Sequence, residues 1–321
     1  MSKWLQLAAS SAALALASLA AQAAFPDRPI TIVVANPPGG QTDVATRIIA
    51  HEMSEILKQP IVIENKPGAN SNLGVMYVKH KPADGYTLIV TAINNFGSNP
   101  ALLKEMPFDP VKDFRAIVQT IASTNVIVVA PDSPYHTLGE ILKAARAEPG
   151  RLTYGSAGEG SSMFLFMEML KSMAKVDILH VPYQGSAKAD LDVMSHQITM
   201  VFDSMPGAWP QVEANRLRAI AVSSGKRSPV APDVPTVSET VPGFEAESWL
   251  GLAAPAGTPE DVIQAINKAA NEALATPKVR DQILKMGARP VGGTSAESQA
   301  FIEGQVSTWK KVMAAAGVKP K

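Results

Sequence analysis

Short runs of β-branched residues alternate with longer amphipathic stretches along most of the chain. The first run, Ile30–Ala35, is apolar and predicts a buried strand, and apolar residues from Val44 to Leu57 then recur at helical spacing. Strands that alternate with helices of this length are typical of parallel sheets covered by helices. The pattern therefore predicts an α/β fold with mainly parallel sheets. Further strands are predicted at Pro60–Glu64, Tyr86–Thr91, Val126–Ala130, Leu152–Tyr154, Ile178–Val181, Thr199–Phe202 and Leu217–Ser223. Further helices are predicted at Leu73–His80, Leu138–Ala147, Ser162–Ala174, Ala187–Ser195, Pro259–Ala275, Pro277–Met286 and Ala296–Ala316.

Two irregular segments that contain prolines interrupt this alternation, Met106–Ile117 and Ser228–Gly243. About 300 residues is at the upper end of what one core supports, so two domains are expected. We interpret the two segments as crossings between a first domain, residues 24–123 and 244–321, and a second domain, residues 124–243, inserted into it. Such an arrangement leaves a cleft between the domains.

The N-terminal 23 residues have the pattern of a secretory signal peptide. Lys3 precedes a short stretch rich in alanine and leucine, and Ala21 and Ala23 occupy the small positions of an A-x-A cleavage site. An uncleaved membrane helix is the alternative, but the apolar stretch is short and no stop-transfer pattern follows. We expect cleavage after Ala23 and a mature protein in the periplasm.

The composition gives no reason to expect two classes of partner, nucleic acid and anionic membranes. The chain has 29 basic and 29 acidic residues, so there is no electrostatic reason to expect binding to nucleic acid or to an anionic membrane. It contains no cysteine, so stability has to come from burial of a core rather than from disulfides.

Signatures of catalysis and of cofactor binding are missing. None of the five histidines forms a pair at metal-ligand spacing, and Tyr154 replaces the first glycine of a G-x-S-x-G motif before Ser156. No nucleotide-binding glycine motif is present. The sequence therefore predicts neither a metal nor a cofactor.

Two glycine-rich turns join a strand to a helix, Pro37–Asp43 and Tyr154–Ser162. Glycines leave backbone N–H groups unobstructed, and free N–H groups at a helix N-terminus favour an anion. Thr42 or Asp43 can cap the first helix, and a capped structural corner is the alternative for either turn. If the turns lie in different domains, both face the cleft at the carboxyl ends of strands, where open α/β sheets bind ligands.

Two later residues are further candidates. Tyr183 follows a strand and can lend a hydroxyl or a ring wall to the cleft, or it can be half-buried in the core. Asp203 follows an apolar strand and is alternatively a cap or a partner of a neighbouring turn. Trp209 and Trp249 are expected to pack rather than bind.

Several motifs spread over the mature chain resemble one family. They include FPDRPITIVV, PPGGQTD, IVIENKPGANSNLG, LTYGSAGEGSS, HVPYQGS and FDSMP. Together they resemble the substrate-binding receptors of tripartite tricarboxylate transporters, the Bug family. The resemblance implies a monomeric, two-lobed Venus flytrap fold in the periplasm without catalysis. It also implies capture of a small carboxylate by main-chain groups, hydroxyls and water, and delivery to a two-subunit membrane permease.

Carried over by motif, the resemblance implies a set of ligand-binding residues: Pro38, Gly39, Gly40, Gln41, Thr42 and Asp43 in a first cradle, Ser156, Ala157, Gly158, Gly160, Ser161 and Ser162 in a second, and Asn94, Tyr183, Gly185 and Asp203 elsewhere in the cleft. The chain departs from the family pattern at Gln41, which adds an amide side chain to the first cradle. It also departs at Met163 and Phe164, which with Phe96 could form an apolar rim or belong to the core.

Three functions are compatible with these features. The main hypothesis is a receptor for a di-, tri- or aromatic carboxylate that feeds a permease. A receptor that signals to a sensor kinase is the first alternative. A periplasmic serine hydrolase using Ser156 or Ser162 is the second, although the sequence places no histidine beside either serine.

Overall fold

A computed structural model describes residues 25–321 of the chain. The predicted signal peptide and its cleavage site lie outside the described residues. Within residues 25–321, no helix has both the length and the apolar character needed to cross a bilayer.

Eleven strands and ten α-helices make up the described part of the chain. The strands are β1 (Ile30–Val34), β2 (Ile61–Asn65), β3 (Thr87–Ala92), β4 (Phe114–Ser123), β5 (Asn125–Val129), β6 (Thr153–Ser156), β7 (Leu179–Pro182), β8 (Met200–Ser204), β9 (Arg218–Val222), β10 (Ser248–Pro255) and β11 (Ala288–Gly292). The helices are α1 (Gln41–Leu57), α2 (Asn72–Lys79), α3 (Asn99–Leu102), α4 (Leu138–Ala147), α5 (Ser162–Ala174), α6 (Ser186–Met194), α7 (Met205–Glu213), α8 (Glu260–Ala275), α9 (Pro277–Lys285) and α10 (Ser295–Ala315). A π-helical turn, Ile93–Ser98, precedes α3, and a 3₁₀ turn covers Val237–Glu239.

The strands form two sheets, and each sheet is the centre of one lobe. The first sheet has the order β11-β4-β10-β3-β1-β2, and the second has the order β7-β6-β8-β5-β9. The first lobe is thus built from both ends of the described chain and the second from its middle. This confirms the predicted two-lobed α/β fold, while the domain bounds 24–123 with 244–321 and 124–243 stay a prediction.

Residues of β1 alternate between two apolar cores, one on each face of the first sheet. Ile30, Ile32 and Val34 pack on the face covered by α1 and α8, whereas Val33 points to the opposite face. This period of two is the geometry of a strand buried on both sides. The structure therefore confirms the buried strand that the apolar run in the sequence predicts.

Both sheets are mixed rather than mainly parallel. β1 pairs in parallel with β2 and β3, and β6 pairs in parallel with β7 and β8. In contrast, β10 lies antiparallel between β3 and β4, and β5 lies antiparallel between β8 and β9. The antiparallel strands β4, β5 and β10 are the ones that flank the passages between the two sheets, so they do not follow the strand–helix–strand pattern that imposes parallel pairing.

The chain passes between the lobes at two neighbouring points. β4 ends at Ser123 and β5 begins at Asn125, so only Thr124 separates the two sheets. The prediction of a crossing within Met106–Ile117 is therefore wrong, because β4 begins inside that segment at Phe114 and belongs to the first sheet. The chain returns to the first sheet at Ser248, which is the direct pairing partner of Ser123.

Candidate ligand-binding cleft

A cleft of about 450 Å³ opens between the lobes, at the carboxyl ends of β1, β3 and β6 and beside the two crossing strands. Residues from four turns and from the crossing strands line it: Ala35, Asn36, Pro37, Gln41, Thr42, Pro67, Gly68, Asn70, Ser71, Ala92, Ile93, Asn94, Ile121, Ser123, Ala157, Glu159, Gly160, Ser161, Ser162, Ser248, Trp249 and Leu250. The cleft therefore contains parts of both predicted cradles, as their positions after strands suggested.

In the first cradle, Gln41 and Thr42 are the predicted residues that line the cleft. The Nε2 atom of Gln41 donates to the Oγ atom of Ser123 at 3.0 Å. Helix α1 begins at Gln41 with Gly40 as its N-cap and has no side-chain cap, so the expected cap by Thr42 or Asp43 does not form. The first N–H groups of the helix are thus left without an intrahelical partner.

Asp43 is buried beneath the surface of the first cradle and stabilises its turn through hydrogen bonds. Its carboxylate accepts from the Gly39 N–H at 2.9 Å, from Asn65 Nδ2 at 2.9 Å and from Arg47 Nε at 3.0 Å. The hydrogen bond from Arg47 is the main reason why the pKa of Asp43 falls to about 2. Asp43 is not part of the cleft surface, and neither are the exposed residues Pro38, Gly39 and Gly40.

In the second cradle, Ala157, Gly160, Ser161 and Ser162 line the cleft. Ser161 caps α5 by accepting from the Phe164 N–H at 3.3 Å. Ser162 Oγ accepts from Asn125 Nδ2 at 3.1 Å, so its own proton is free to be donated elsewhere. Gly158 is not part of the lining, but its carbonyl accepts from the Ser161 hydroxyl at 2.7 Å and so closes the turn.

Ser156 lies behind the second cradle, where it contacts a histidine that the sequence did not point to. Its Oγ atom lies 2.7 Å from His180 Nε2 and accepts from the Gly158 N–H at 3.1 Å. The expectation that no histidine is placed beside this serine is therefore wrong. However, Ser156 is fully buried and does not line the cleft, so this arrangement gives a substrate no access to its hydroxyl. Burial also lowers the pKa of His180.

Tyr183 and Gly185 lie away from the cleft surface. The Tyr183 hydroxyl donates to Asp192 Oδ2 at 2.7 Å, and partial burial with this acidic partner raises the pKa of Tyr183 to about 12. Gly185 is the N-cap of α6 and adopts a positive φ of 111°. Both residues thus hold the turn before α6.

Asp203 is also outside the cleft, because it is buried against Asp190 of α6. Burial raises the pKa of both carboxyl groups, and the negative charge of Asp203 raises that of Asp190 further. Hydrogen bonds from Ser204 and Ser186 stabilise the ionised form of Asp203. One oxygen of each carboxyl group, Oδ1 of Asp190 and Oδ2 of Asp203, has no hydrogen-bond partner among the described residues, and burial favours the protonated form of the pair.

Of the two alternatives left open for Met163 and Phe164, the core position is the one that the structure shows. Met163, Phe164 and Phe96 are all buried, and Phe96 packs edge-on against Phe114 at a centroid distance of 5.2 Å. Apolar lining instead comes from Ala92, Ile93, Ile121, Trp249 and Leu250, which lie on or beside the strands β3, β4 and β10.

Trp249 forms a wall of the cleft and also lines a second groove of about 230 Å³. Its Nε1 atom donates to Gln305 Oε1 at 3.0 Å, and the indole of Trp309 donates to the same oxygen at 3.0 Å. Trp309 in turn stacks on Phe166 of the second lobe at a centroid distance of 6.0 Å. The expectation that Trp249 packs thus holds, but the residue also faces the cleft.

Sequence reasoning missed the turn after β2 and the ends of the crossing strands. Among the missed lining residues, Ser71 accepts from Asn94 Nδ2 at 2.8 Å, and Asn94 itself was predicted. The turn in KPGANSN follows a strand in the same way as the two cradles do, so the same rule applied to it would have found Gly68, Asn70 and Ser71. Ser123 and Ser248 carry no comparable signal, because only the assembled crossing strands bring them to the cleft.

The described lining of the cleft carries almost no net charge. Of its described lining residues, only Glu159 has an ionisable side chain, and that carboxylate is paired with Lys321 Nζ at 2.6 Å. The described residues contain no cluster of side chains suited to a metal ion. What the cleft does offer is a set of backbone N–H groups, amides and serine hydroxyls, which is a set of neutral donors.

Two lobes joined by paired crossing strands, with a donor-lined cleft between them, define the class of two-lobed solute-binding proteins. The sequence profile of the tripartite tricarboxylate transporter family receptor matches residues 45–318, and the chain belongs to this family. Its members are periplasmic solute-binding proteins.

Individual relatives cover nearly the whole chain. The UPF0065 protein in the tcbD-tcbE intergenic region of Pseudomonas sp. strain P51 is 36% identical over 292 residues, which are 90% of this chain and 87% of that protein. The solved structure of R. palustris Rpa4515 with adipate has a TM-score of 0.84 and 33% identity, and covers 92% of this chain and 100% of its own. MatC from Rhodopseudomonas palustris with bound malate has a TM-score of 0.79 and 32% identity, with coverages of 90% and 99%.

Proposed function

We propose that this protein captures a small organic carboxylate, a di-, tri- or aromatic carboxylate, between its lobes and delivers it to the two-subunit permease of a tripartite transporter. The observation that carries the proposal is the surplus of neutral hydrogen-bond donors in a cleft whose described lining has no free charge. The similarity to structures with bound adipate and malate supports the ligand class.

The number of donors is sufficient for such a complex. A hydrogen bond to a charged group contributes about 1.5–3 kcal/mol, and a micromolar complex requires about 8 kcal/mol. Four or five such bonds exceed that value before the cost of ordering the complex is subtracted. We propose that the donors come from Gln41 and Thr42, from Asn94, and from the turn Ala157–Ser162.

Export and closure complete the proposal. The signal peptide is removed after Ala23, and residues 24–123 with 244–321 form one lobe while 124–243 form the other. Binding then shifts the equilibrium between an open and a closed arrangement of the lobes, because the carboxylate contacts both cradles only when the lobes are closed.

A thermal-shift screen tests the proposed ligand class. Protein that has been unfolded and refolded to remove any co-purified ligand is mixed with adipate, malate, citrate and benzoate. We expect at least one of these to raise the melting temperature in a concentration-dependent way, because a ligand that binds only the folded state stabilises it. No shift with any of them would contradict a carboxylate receptor.

Small-angle scattering tests closure separately. The ligand that stabilises the protein most should lower the radius of gyration of the monomer. An unchanged radius at saturating ligand would remove closure from the proposal while leaving binding intact.

A further inference from the structure

We propose that Ser71, in the turn after β2, donates its hydroxyl proton to an oxygen of the bound carboxylate, and that the chain keeps a strained backbone in this turn to place that hydroxyl. This inference rests on the proposed function and adds a third side to the site. For the following argument, the third turn is the segment Gly68–Ser71.

The backbone of the third turn is unusual for residues that carry a side chain. Ala69, Asn70 and Ser71 have φ values of 47°, 52° and 71°, so three consecutive residues other than glycine occupy the left-handed region. This region is unfavourable for residues with a Cβ atom, although less so for asparagine, and such residues persist only where the surroundings over-determine them. Residues held in sparsely populated conformations cluster at ligand clamps and active sites.

Buried asparagine side chains hold the third turn in this conformation. Asn99 is fully buried, and its Nδ2 atom donates to the Asn70 carbonyl at 3.0 Å and to Asn72 Oδ1 at 2.9 Å. Asn70 Nδ2 returns a bond to Asn99 Oδ1 at 2.7 Å. The strain is therefore maintained by a dedicated set of hydrogen bonds rather than by the turn itself.

Both acceptor positions of the Ser71 hydroxyl oxygen are occupied, whereas its proton has no acceptor among the described residues. Its Oγ atom accepts from Asn94 Nδ2 at 2.8 Å and, at a longer distance of 3.4 Å, from Asn36 Nδ2. A serine hydroxyl has two acceptor lone pairs and one proton, and an amide nitrogen cannot accept. Among the described residues, no acceptor takes the Ser71 proton.

Ser71 is only 5% exposed, yet it lines the cleft. A buried donor without a partner is unfavourable, so the proton has to be directed at whatever occupies the cleft. The matching partner is an oxygen without a proton of its own, which is what a carboxylate presents.

The third turn also lies against the second cradle. A Cβ atom placed on Gly160 would meet Asn70 Nδ2 at 3.1 Å, so the two turns are in close contact across the cleft. Ser123 and Ser162 each accept an amide as Ser71 does, from Gln41 and from Asn125. Three serines of the cleft lining therefore each accept an amide and keep a hydroxyl proton that no described residue accepts.

Three variants distinguish the effect of the hydroxyl on ligand affinity from the effect of the strained backbone. Ser71→Gly removes the hydroxyl and relieves the strain, Ser71→Ala removes the hydroxyl and keeps the strain, and Ala69→Gly relieves strain in the same turn without touching the hydroxyl. Ala69 is not part of the cleft lining, so it serves as the matched control. The titrant is whichever of adipate, malate, citrate and benzoate stabilises the wild-type protein most.

We expect Ser71→Gly and Ser71→Ala to weaken binding by roughly ten- to a hundredfold in calorimetric titration, the loss of one hydrogen bond to a charged acceptor. Ala69→Gly should stay within twofold of wild type. In ligand-free protein, Ala69→Gly should melt at or above the wild-type temperature, because glycine adopts positive φ without strain. Ser71→Gly also loses the acceptor of Asn94, so it is compared with Ser71→Ala, which loses the same acceptor and keeps the strain; the glycine variant should melt at the higher temperature of the two.

Each other outcome overturns the inference in a recognisable way. If both Ser71 variants bind within twofold of wild type, the hydroxyl has only a structural role, although the proposed function stands. If Ala69→Gly loses as much affinity as Ser71→Gly, the loss comes from the backbone and not from the hydroxyl. If no carboxylate of the panel binds the wild type, the proposed function fails and this inference fails with it.

Discussion

Asp190 and Asp203 form a buried carboxyl pair, and burial raises the pKa of both groups, which favours retention of a proton. Desolvation is the largest cause and raises the pKa of Asp190 to about 8, well above the value of about 3.9 in an unfolded chain. Between these two values the folded state holds a proton that the unfolded state has lost. Stability therefore declines as pH rises through this window, since the folded state binds more protons than the unfolded state.

We predict that the variant Asp190→Asn has a weaker pH dependence than the wild type. The pair contributes a slope of up to about 1.4 kcal/mol per pH unit to the unfolding free energy, and the amide removes the titrating proton while keeping a donor to Asp203. Urea unfolding at pH 5 and pH 8 measures both slopes. Equal slopes in the two proteins would show that the pair does not hold a proton.

At the same scale, the sequence predicts some site residues and misplaces others. Gln41, Thr42, Ser161 and Ser162 were found because glycine turns after strands have a recognisable pattern. Asp203 lies near the end of strand β8, but its role depends on Asp190, which lies on helix α6. A linear pattern shows that a side chain stands at the end of a strand, not which neighbour it meets there.

At the scale of elements, Gly251 illustrates how tightly β10 is enclosed between β3 and β4. A Cβ atom at this position would lie 2.7 Å from Thr91 Oγ1 and 2.7 Å from the Val118 carbonyl oxygen. Contacts this short force the neighbouring strands to move.

We predict that Gly251→Ala lowers the unfolding free energy by about 1–3 kcal/mol, the usual effect of overpacking. Gly304, in the middle of α10, is the matched control because a Cβ atom there meets nothing within 4 Å. Gly304→Ala should raise stability by about 0.5–1 kcal/mol through helix propensity alone. Chemical unfolding of both variants compares them, and equal effects would contradict the enclosed position of Gly251.

Elements with strong periodicity and caps were predictable to the residue. Leu138–Ala147 begins after Thr137 and Glu140, which form a capping box, and its bounds agree with the prediction. By contrast, α7 contains Pro210, and β11 is a short edge strand that contains Pro290, so neither shows the usual pattern. These elements exist because of tertiary packing, which a local pattern does not record.

At the scale of the whole molecule, the cleft and the crossing between lobes coincide. Ser123 and Ser248 are pairing partners where the two strands cross, and both line the cleft. Under the proposed function, the ligand rests on the segments whose backbone moves when the lobes open and close. Chain length and the two proline-containing segments predicted two domains but not this pairing, because antiparallel return strands have no signal in the local sequence.

The position of Trp249 should make its intrinsic fluorescence sensitive to what occupies the cleft. Its indole is a wall of the cleft, while Trp309 lies behind it and Trp209 donates to Glu213 on a helix of the other lobe. We predict that a bound carboxylate changes the intrinsic fluorescence emission, that Trp249→Phe abolishes the change, and that Trp209→Phe preserves it. A signal that survives in Trp249→Phe would place the responding indole elsewhere. Ligand occupancy of the cleft can then be followed in untagged protein as a shift in the wavelength of its tryptophan emission.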